Sequence, residues 1–315
     1  MSNPEQAAFT LALARAHTLG EGLQWHAPSS RWWWTDIEGA CIYAWTPGAA
    51  AVLEVRLPDR VGCFVHCRSG AIILAMAKRV ARLTLPDLQA TGSIVGEPET
   101  LAPLETELLQ NRANDGRCDR SGAFVFGTLN EGDPRQPIGG FYQFTKTHGL
   151  RRLALDGVAI ANSICFSLDG RRMYHCDTLQ RRIMVCDYDS ASATVSEPRL
   201  FVKKEVTDGW PDGATIDAQG CLWNAEWGAG TVARYALDGR QLARYAVPAP
   251  NTSCPAFGGP AADQILVTTA RQELSTADLM ARPLSGSLFG MTVESGLFMA
   301  ETLFDDEERR PAGNC

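Results

Sequence analysis

The chain has 315 residues, 45% of them hydrophobic, enough for one large all-β domain or two ordinary domains with a buried core. Its 29 Lys and Arg against 36 Asp and Glu leave a net charge of −7, which argues against the basic footprint of a nucleic-acid binder or of a protein held on an anionic membrane. No apolar run approaches membrane-spanning length, and the opening MSNPEQAAFTLALARAH lacks a basic n-region and is broken by Arg15, so it is a poor secretory leader.

In chain order, a first strand-like segment covers about residues 9–17. Short β-type runs then recur, each after a turn containing Gly, Asp or Ser: SSRWWWTDI around Trp33, SGAIILAMA around Ile73, RSGAFVFGT around Val125, DGRRMYHCD around Met173, QGCLWNAEW around Leu222 and ADQILVTTA around Leu266. Their centres are 40, 52, 48, 49 and 44 residues apart, and most are followed by a second run and a polar turn. Six such units at this period predict a single six-bladed β-propeller over residues 1–315, with the segment at about 9–17 closing the last blade. The one helical patch, residues 273–282, is too short and too isolated for βαβ units. The alternative is a pair of β-sandwiches, but no linker divides the chain. The ten cysteines form no CxxC pair and sit mostly in apolar runs, as expected of reduced thiols in a cytoplasmic protein.

In a propeller, equivalent positions on different blades face one axis, so polar residues that interrupt the pattern near blade starts are the ones to follow. Four places qualify: Glu21 between Gly20 and Gly22 ahead of blade one; Arg112, Asn114 and Asp115 in NRANDGRCDRSG; Asn162 inside the apolar run 158–166; and Asp212 in DGWPDGATI. Each alone reads as an ordinary turn residue. Together, one Glu, one Asp and two Asn at unlike places on different blades suit a hard or borderline divalent cation. Asp119, Asp169 and Asp217 repeat at one place in the blade and read as turns. No G-x-S-x-G elbow, P-loop or H-E-x-x-H exists, and the five histidines are dispersed, with His175 expected to be packed inside a strand.

The same residues carry a family resemblance. From LGEG…WWWTDIEG through RANDGRCDRSGAFVFGTLNEGD, ANSICFSLDG and PDGATIDAQGCLWNAEWGAGTVARY to CPAFGGP and SGSLFG, the chain resembles the SMP-30/gluconolactonase/regucalcin family, six-bladed propellers with one divalent metal in a central pocket. The resemblance implies metal ligation by Glu21, Asn162 and Asp212, substrate contacts from Arg112 and Asn114, and a further contact from Glu131. Asn162 departs from the family pattern in being flanked by Ala161 and Ser163 where Pro and Gly are usual. The tail TTARQELSTADLMARPLSGSLFG is similar to the L-arabinonolactonase and xylonolactonase branch.

What this implies is hydrolysis of an aldonolactone from pentose oxidation to the open acid. Asp212 would be the catalytic base and one divalent ion (Ca, Zn, Mn or Fe(II)) the cofactor. A sugar lactone is the expected partner, with no nucleic acid or membrane partner and a monomeric state. Two alternatives stand beside this: a gluconolactonase or another ester or phosphotriester hydrolase on the same fold, and a non-catalytic, regucalcin-like metal-binding regulator.

Overall fold

The apolar runs become strands, and the strands pair in antiparallel sets. The structure is a computed structural model that describes residues 8–307. After β1 (Thr10–Leu13), blade one is β2 (Gly20–His26), β3 (Arg31–Asp36), β4 (Cys41–Trp45) and β5 (Val52–Arg56). Blade two is β6 (Val61–His66), β7 (Ile72–Met76), β8 (Arg79–Leu83) and, after β9 (Gly92–Val95), β10 (Glu99–Pro103). β9 lies parallel to β5 and adds a fifth strand to blade one. Blade three holds β11 (Asn111–Cys118), β12 (Phe124–Asn130), β13 (Phe141–Thr145) and β14 (Gly149–Arg152). Blade four holds β15 (Ala161–Phe166), β16 (Arg172–Asp177), β17 (Arg182–Asp189) and β18 (Thr194–Lys203). Blade five holds β19 (Trp210–Ile216), β20 (Leu222–Trp227), β21 (Thr231–Tyr235) and β22 (Gln241–Ala246). Blade six holds β23 (Thr252–Gly258), β24 (Gln264–Thr269) and β25 (Leu288–Thr292), and its outer strand is β1, antiparallel to β25. Between β24 and β25 lies the short helix α1 (Thr276–Ala281), capped by Ser275 and Asp278.

The first strands of the blades form an inner ring: β2 touches β6, β6 touches β11, and so on through β15, β19 and β23 back to β2. The architecture is a six-bladed β-propeller, as the spacing of the apolar runs predicts. The core is a set of wedges between neighbouring blades, so middle strands are buried on both faces and lose the apolar–polar alternation of a one-sided sheet. In β3, Trp33 packs toward blade two with Leu53 and Phe64, while Trp32 and Trp34 pack toward blade six with Cys254 and Leu266. In β12, Val125 faces blade four and Phe124 and Phe126 face blade two. The nine cysteines among the described residues are all buried and unpaired.

At the end of the channel away from the blade-start residues, the chain beyond β25 crosses the inner ring. Phe304 stacks on Phe144, its N–H donates to the His66 carbonyl at 2.8 Å, and Glu301 ion-pairs with Arg117 of β11. No helix among the described residues is long and apolar enough to cross a membrane.

Candidate active site

Every innermost strand carries an irregularity in its register with the second strand of its blade. In the strands of interest it falls between Glu21 and Gln24, Ala113 and Gly116, Asn162 and Cys165, and Pro211 and Ala214. A bulge of this kind leaves residues unpaired and re-aims side chains. Here it follows directly on Glu21 and Asn162 and contains Asn114, Asp115 and Asp212. Gly20-Glu21-Gly22, read from sequence as a turn, is instead the start of β2. Gly22 sits at φ +60, inside the bulge, where a side chain is disfavoured.

The bulges bring five sequence-predicted residues to one cavity of about 250 Å³: Glu21, Arg112, Asn114, Asn162 and Asp212. A chain of hydrogen bonds links three of them, Arg112, Asn114 and Asn162. Arg112 Nη1 donates to Asn114 Oδ1 at 2.9 Å, and Asn114 Nδ2 donates to Asn162 Oδ1 at 3.0 Å and to the Ala161 carbonyl at 2.9 Å. Asn162 Nδ2 donates to Thr178 Oγ1 at 2.9 Å, whose hydroxyl donates to the Pro211 carbonyl at 3.0 Å. This fixes which edge of the Asn162 amide is the oxygen. Leu19, Leu129, Ile160 and Trp227 add apolar wall, and Trp210, beneath the stacked guanidinium of Arg181, stands at the mouth.

The electrostatics are unbalanced. Glu21, Asp115 and Asp212 are all buried, and among the described residues none has a cationic side chain as hydrogen-bond partner. Burial, then the Asp115 charge, raises the Glu21 pKa to about 8, against the pull of the Gly22 N–H and Arg112. Burial, then the charges of Glu21 and Asp115, holds Asp212 well above the usual carboxylate range. Burial raises Asp115 to about 6, offset in part by the Ile164 N–H, which donates to its Oδ2 at 2.8 Å. The nearby cations are committed elsewhere: Arg112 to Glu131 at 3.1 Å, and Arg117 to Glu301. Two neighbouring carboxylates with no counter-cation and an oriented amide oxygen fit a divalent ion, which would supply the missing charge. Among the described residues no three His, Cys, Asp or Glu side chains gather as a metal cage, so the Asn162 oxygen is needed as a donor.

Glu131 is placed differently from the other five. Its side chain is one-third exposed, lies outside the cavity lining, and takes Arg60 in a two-pronged pair at 2.6 and 2.8 Å while bracing Arg112. Both cations, with the Arg60 hydrogen bond, hold its pKa below the usual carboxylate value in spite of burial.

Comparison with known proteins bears on this geometry. A profile of the SMP-30/Gluconolactonase/LRE-like region matches residues 19–271. The chain belongs to this family. Among its relatives, L-arabinolactonase of Azospirillum brasilense is 40% identical over 91% of this chain and 92% of its own length. Pentonolactonase XacC of Haloferax volcanii is 33% identical over 80% and 81%. Among solved structures, a calcium-binding regucalcin from Agrobacterium tumefaciens superposes with a TM-score of 0.85 at 30% identity, covering 95% of this chain and 98% of that one.

Within this SMP-30/gluconolactonase chain, the departure at Ser163 has a structural answer. Ser163 takes the left-handed backbone a glycine would favour, at φ +59, and its hydroxyl donates to the Asp212 carbonyl at 2.6 Å and accepts from Asn224 Nδ2 at 3.1 Å. The side chain thus ties the Asn162 strand to the Asp212 strand. Residues that sequence reasoning passed over are Thr178, Trp210 and Arg135, which line the cavity from loops and strand ends. Asp115, singled out beside Asn114, lies in the same bulge but outside the cavity lining.

Proposed function

We propose that this chain is a divalent-metal-dependent sugar lactonase that opens a pentono-1,4-lactone, such as L-arabinono- or xylonolactone, to its aldonic acid. The observation that carries this reading is the meeting of Glu21, Asn162 and Asp212 in one cavity without a cationic partner. The lactonase names of relatives 40% and 33% identical supply the substrate class.

The ion, held by Glu21, Asn162 and Asp212, supplies Lewis-acid polarisation of the lactone carbonyl when bound. Asp212 takes the proton from the attacking water, one carboxylate oxygen serving as base. Water oxygen bonds to the carbonyl carbon, the bond from that carbon to the ring oxygen breaks, and the ring oxygen leaves as a hydroxyl with the proton returned. Arg112, braced by Glu131, and Asn114 hold the lactone oxygens for attack. Trp210 and the aliphatic wall take the C–H face of the sugar ring.

The test is a panel assay of arabinono-, xylono- and gluconolactone beside aryl esters and phosphotriesters. Turnover of pentonolactones first is the expected result. Cleavage of only the aryl esters or phosphotriesters would replace this reading with another hydrolase on the same fold. The likeness to a calcium-binding regucalcin favours one second reading, a binding protein that holds the ion without lactone turnover; it predicts metal uptake with no hydrolysis of any member of the panel.

A further inference from the structure

The register of each blade puts one second-strand residue opposite the position just before the candidate site residue. In blade one Asp36 pairs with Gly20, ahead of Glu21; in blade four Asp177 pairs with Ala161, ahead of Asn162. Their hydrogen bonds correspond atom for atom. Asp36 Oδ2 accepts from Thr18 N at 3.1 Å and Oδ1 from Leu19 N at 2.9 Å. Asp177 Oδ2 accepts from Ala159 N at 3.0 Å and Oδ1 from Ile160 N at 3.3 Å. In both blades these are the amides three and two residues before the site residue. Each carboxylate also takes an amide on its other side, Gly39 N at 3.3 Å and Leu179 N at 3.2 Å. Asp36 is itself fixed by His17, whose Nδ1 lies 3.4 Å away and whose Nε2 accepts from Trp34 Nε1 at 2.9 Å.

The arrangement is not a general feature of the fold. In blade two, which gives the cavity no side chain, and in blade six, which gives it only Gln272 and Glu273 from the β24–β25 connection, the same register position holds Met76 and Thr269. In blade five it holds Glu226, fully buried, whose carboxylate takes Lys204, Arg244 and Thr231 instead of backbone amides. A bulge re-aims the chain after Glu21 and after Asn162, so those side chains are fixed only if the backbone entering them is also fixed. The two amides before each residue are the last points at which that can be done. The same amides belong to Leu19 and Ile160 or their neighbours, two residues of the cavity wall.

We propose that Asp36 and Asp177 are positioning residues, one backbone clamp used twice, that hold Glu21 and Asn162 in place to share a divalent cation. This rests on the metal reading above. Outer groups that orient metal ligands typically contribute 10- to 100-fold in metal affinity.

The test is titration of the chelator-stripped full chain with Mn²⁺ by calorimetry, for wild type, Asp36→Ala, Asp177→Ala and a control, Asp217→Ala. Asp217 is more buried than either clamp but accepts Gln219 and Cys221 amides in a turn remote from the cavity. The clamp variants should bind Mn²⁺ 10- to 100-fold more weakly. The control should lose thermal stability with unchanged affinity. Asp36→Asn and Asp177→Asn keep one acceptor oxygen, should fall between the alanine variants and wild type, and replace them if either alanine variant fails to fold. Clamp variants with wild-type affinity, or a control that loses affinity equally, would overturn the clamp while leaving the metal reading intact. A wild-type chain that takes up no Mn²⁺ or other divalent ion would overturn the metal reading, and the clamp with it.

Discussion

At the scale of single residues, the cavity is organised around a deficit of positive charge. Glu21 and Asp212 lose hydration on burial and gain only backbone donors, Gly22 N–H for one and Gly213 N–H for the other. Such a pair costs stability in the metal-free protein and is kept for function. Asp212→Ala is therefore expected to abolish lactone turnover and metal uptake while the metal-free protein melts at or above the wild-type temperature; residual turnover near wild type would remove Asp212 from its role. Glu21→Gln keeps the shape and removes the charge, and a metal titration should show affinity lowered at least about tenfold. Arg112 acts through a different balance. Glu131→Gln removes its brace and leaves Arg60 without its two-pronged partner, so KM for the lactone should rise with little change in kcat. A fall in kcat at constant KM would give Glu131 a more direct part.

At the scale of strands, the contrast between legible and illegible parts has a physical cause. The second strand of each blade is packed between two neighbours and is largely apolar, WWW in blade one and IILAM in blade two being unbroken runs, and those runs are what the repeat spacing follows. The innermost strands carry polar residues, glycines and even Pro211 and Pro255, because they line the channel and bulge there. They therefore look like loops, and Glu21 looked like part of a turn. The residues that would meet were visible as oddities in four of these strands. The means of aiming them was not, because register and bulges are tertiary facts and Asp36 and Asp177 merely end apolar runs. The parallel strand β9 and the outward placement of Glu131 were equally invisible. Since the bulge depends on left-handed backbone, Gly22→Ala should destabilise the fold by about 1–2 kcal/mol in urea unfolding. The space around a Cβ there is ordinary, with Thr35 and Phe64 no nearer than 3.6 Å, so backbone strain alone sets the cost.

At the scale of the whole molecule, the propeller closes by pairing β1 with β25 and is crossed at the far end of the channel by the segment holding Glu301 and Phe304. Its pH response should be a balance between buried neutral histidines and the buried carboxylates of the cavity. Burial lowers His26 and His175 from an ordinary 6.5 to about 4, and burial with the neighbouring His26 holds His66 well below the ordinary value; among the described residues neither ring nitrogen of His66 has a partner. Below pH 6.5 the unfolded chain protonates histidines that the folded chain keeps neutral, a loss of about 1.4 kcal/mol per pH unit for each, while Glu21, Asp115 and Asp212, raised by burial, take up protons in the folded metal-free chain over the same range and offset part of it. Urea midpoints of metal-free wild type and His66→Phe, measured across that range, should diverge as pH falls, with the variant, which replaces the ring stacked at 4.0 Å on His26, losing less stability or gaining more. Midpoints that stay parallel would place the acid sensitivity elsewhere. The account as a whole turns on one measurement: pH-stat hydrolysis of L-arabinono-1,4-lactone by the full chain before chelation, after EDTA treatment, and after return of a divalent ion. Loss of turnover on chelation and its recovery with the ion is the predicted result. Turnover that survives complete removal of divalent metal would contradict it.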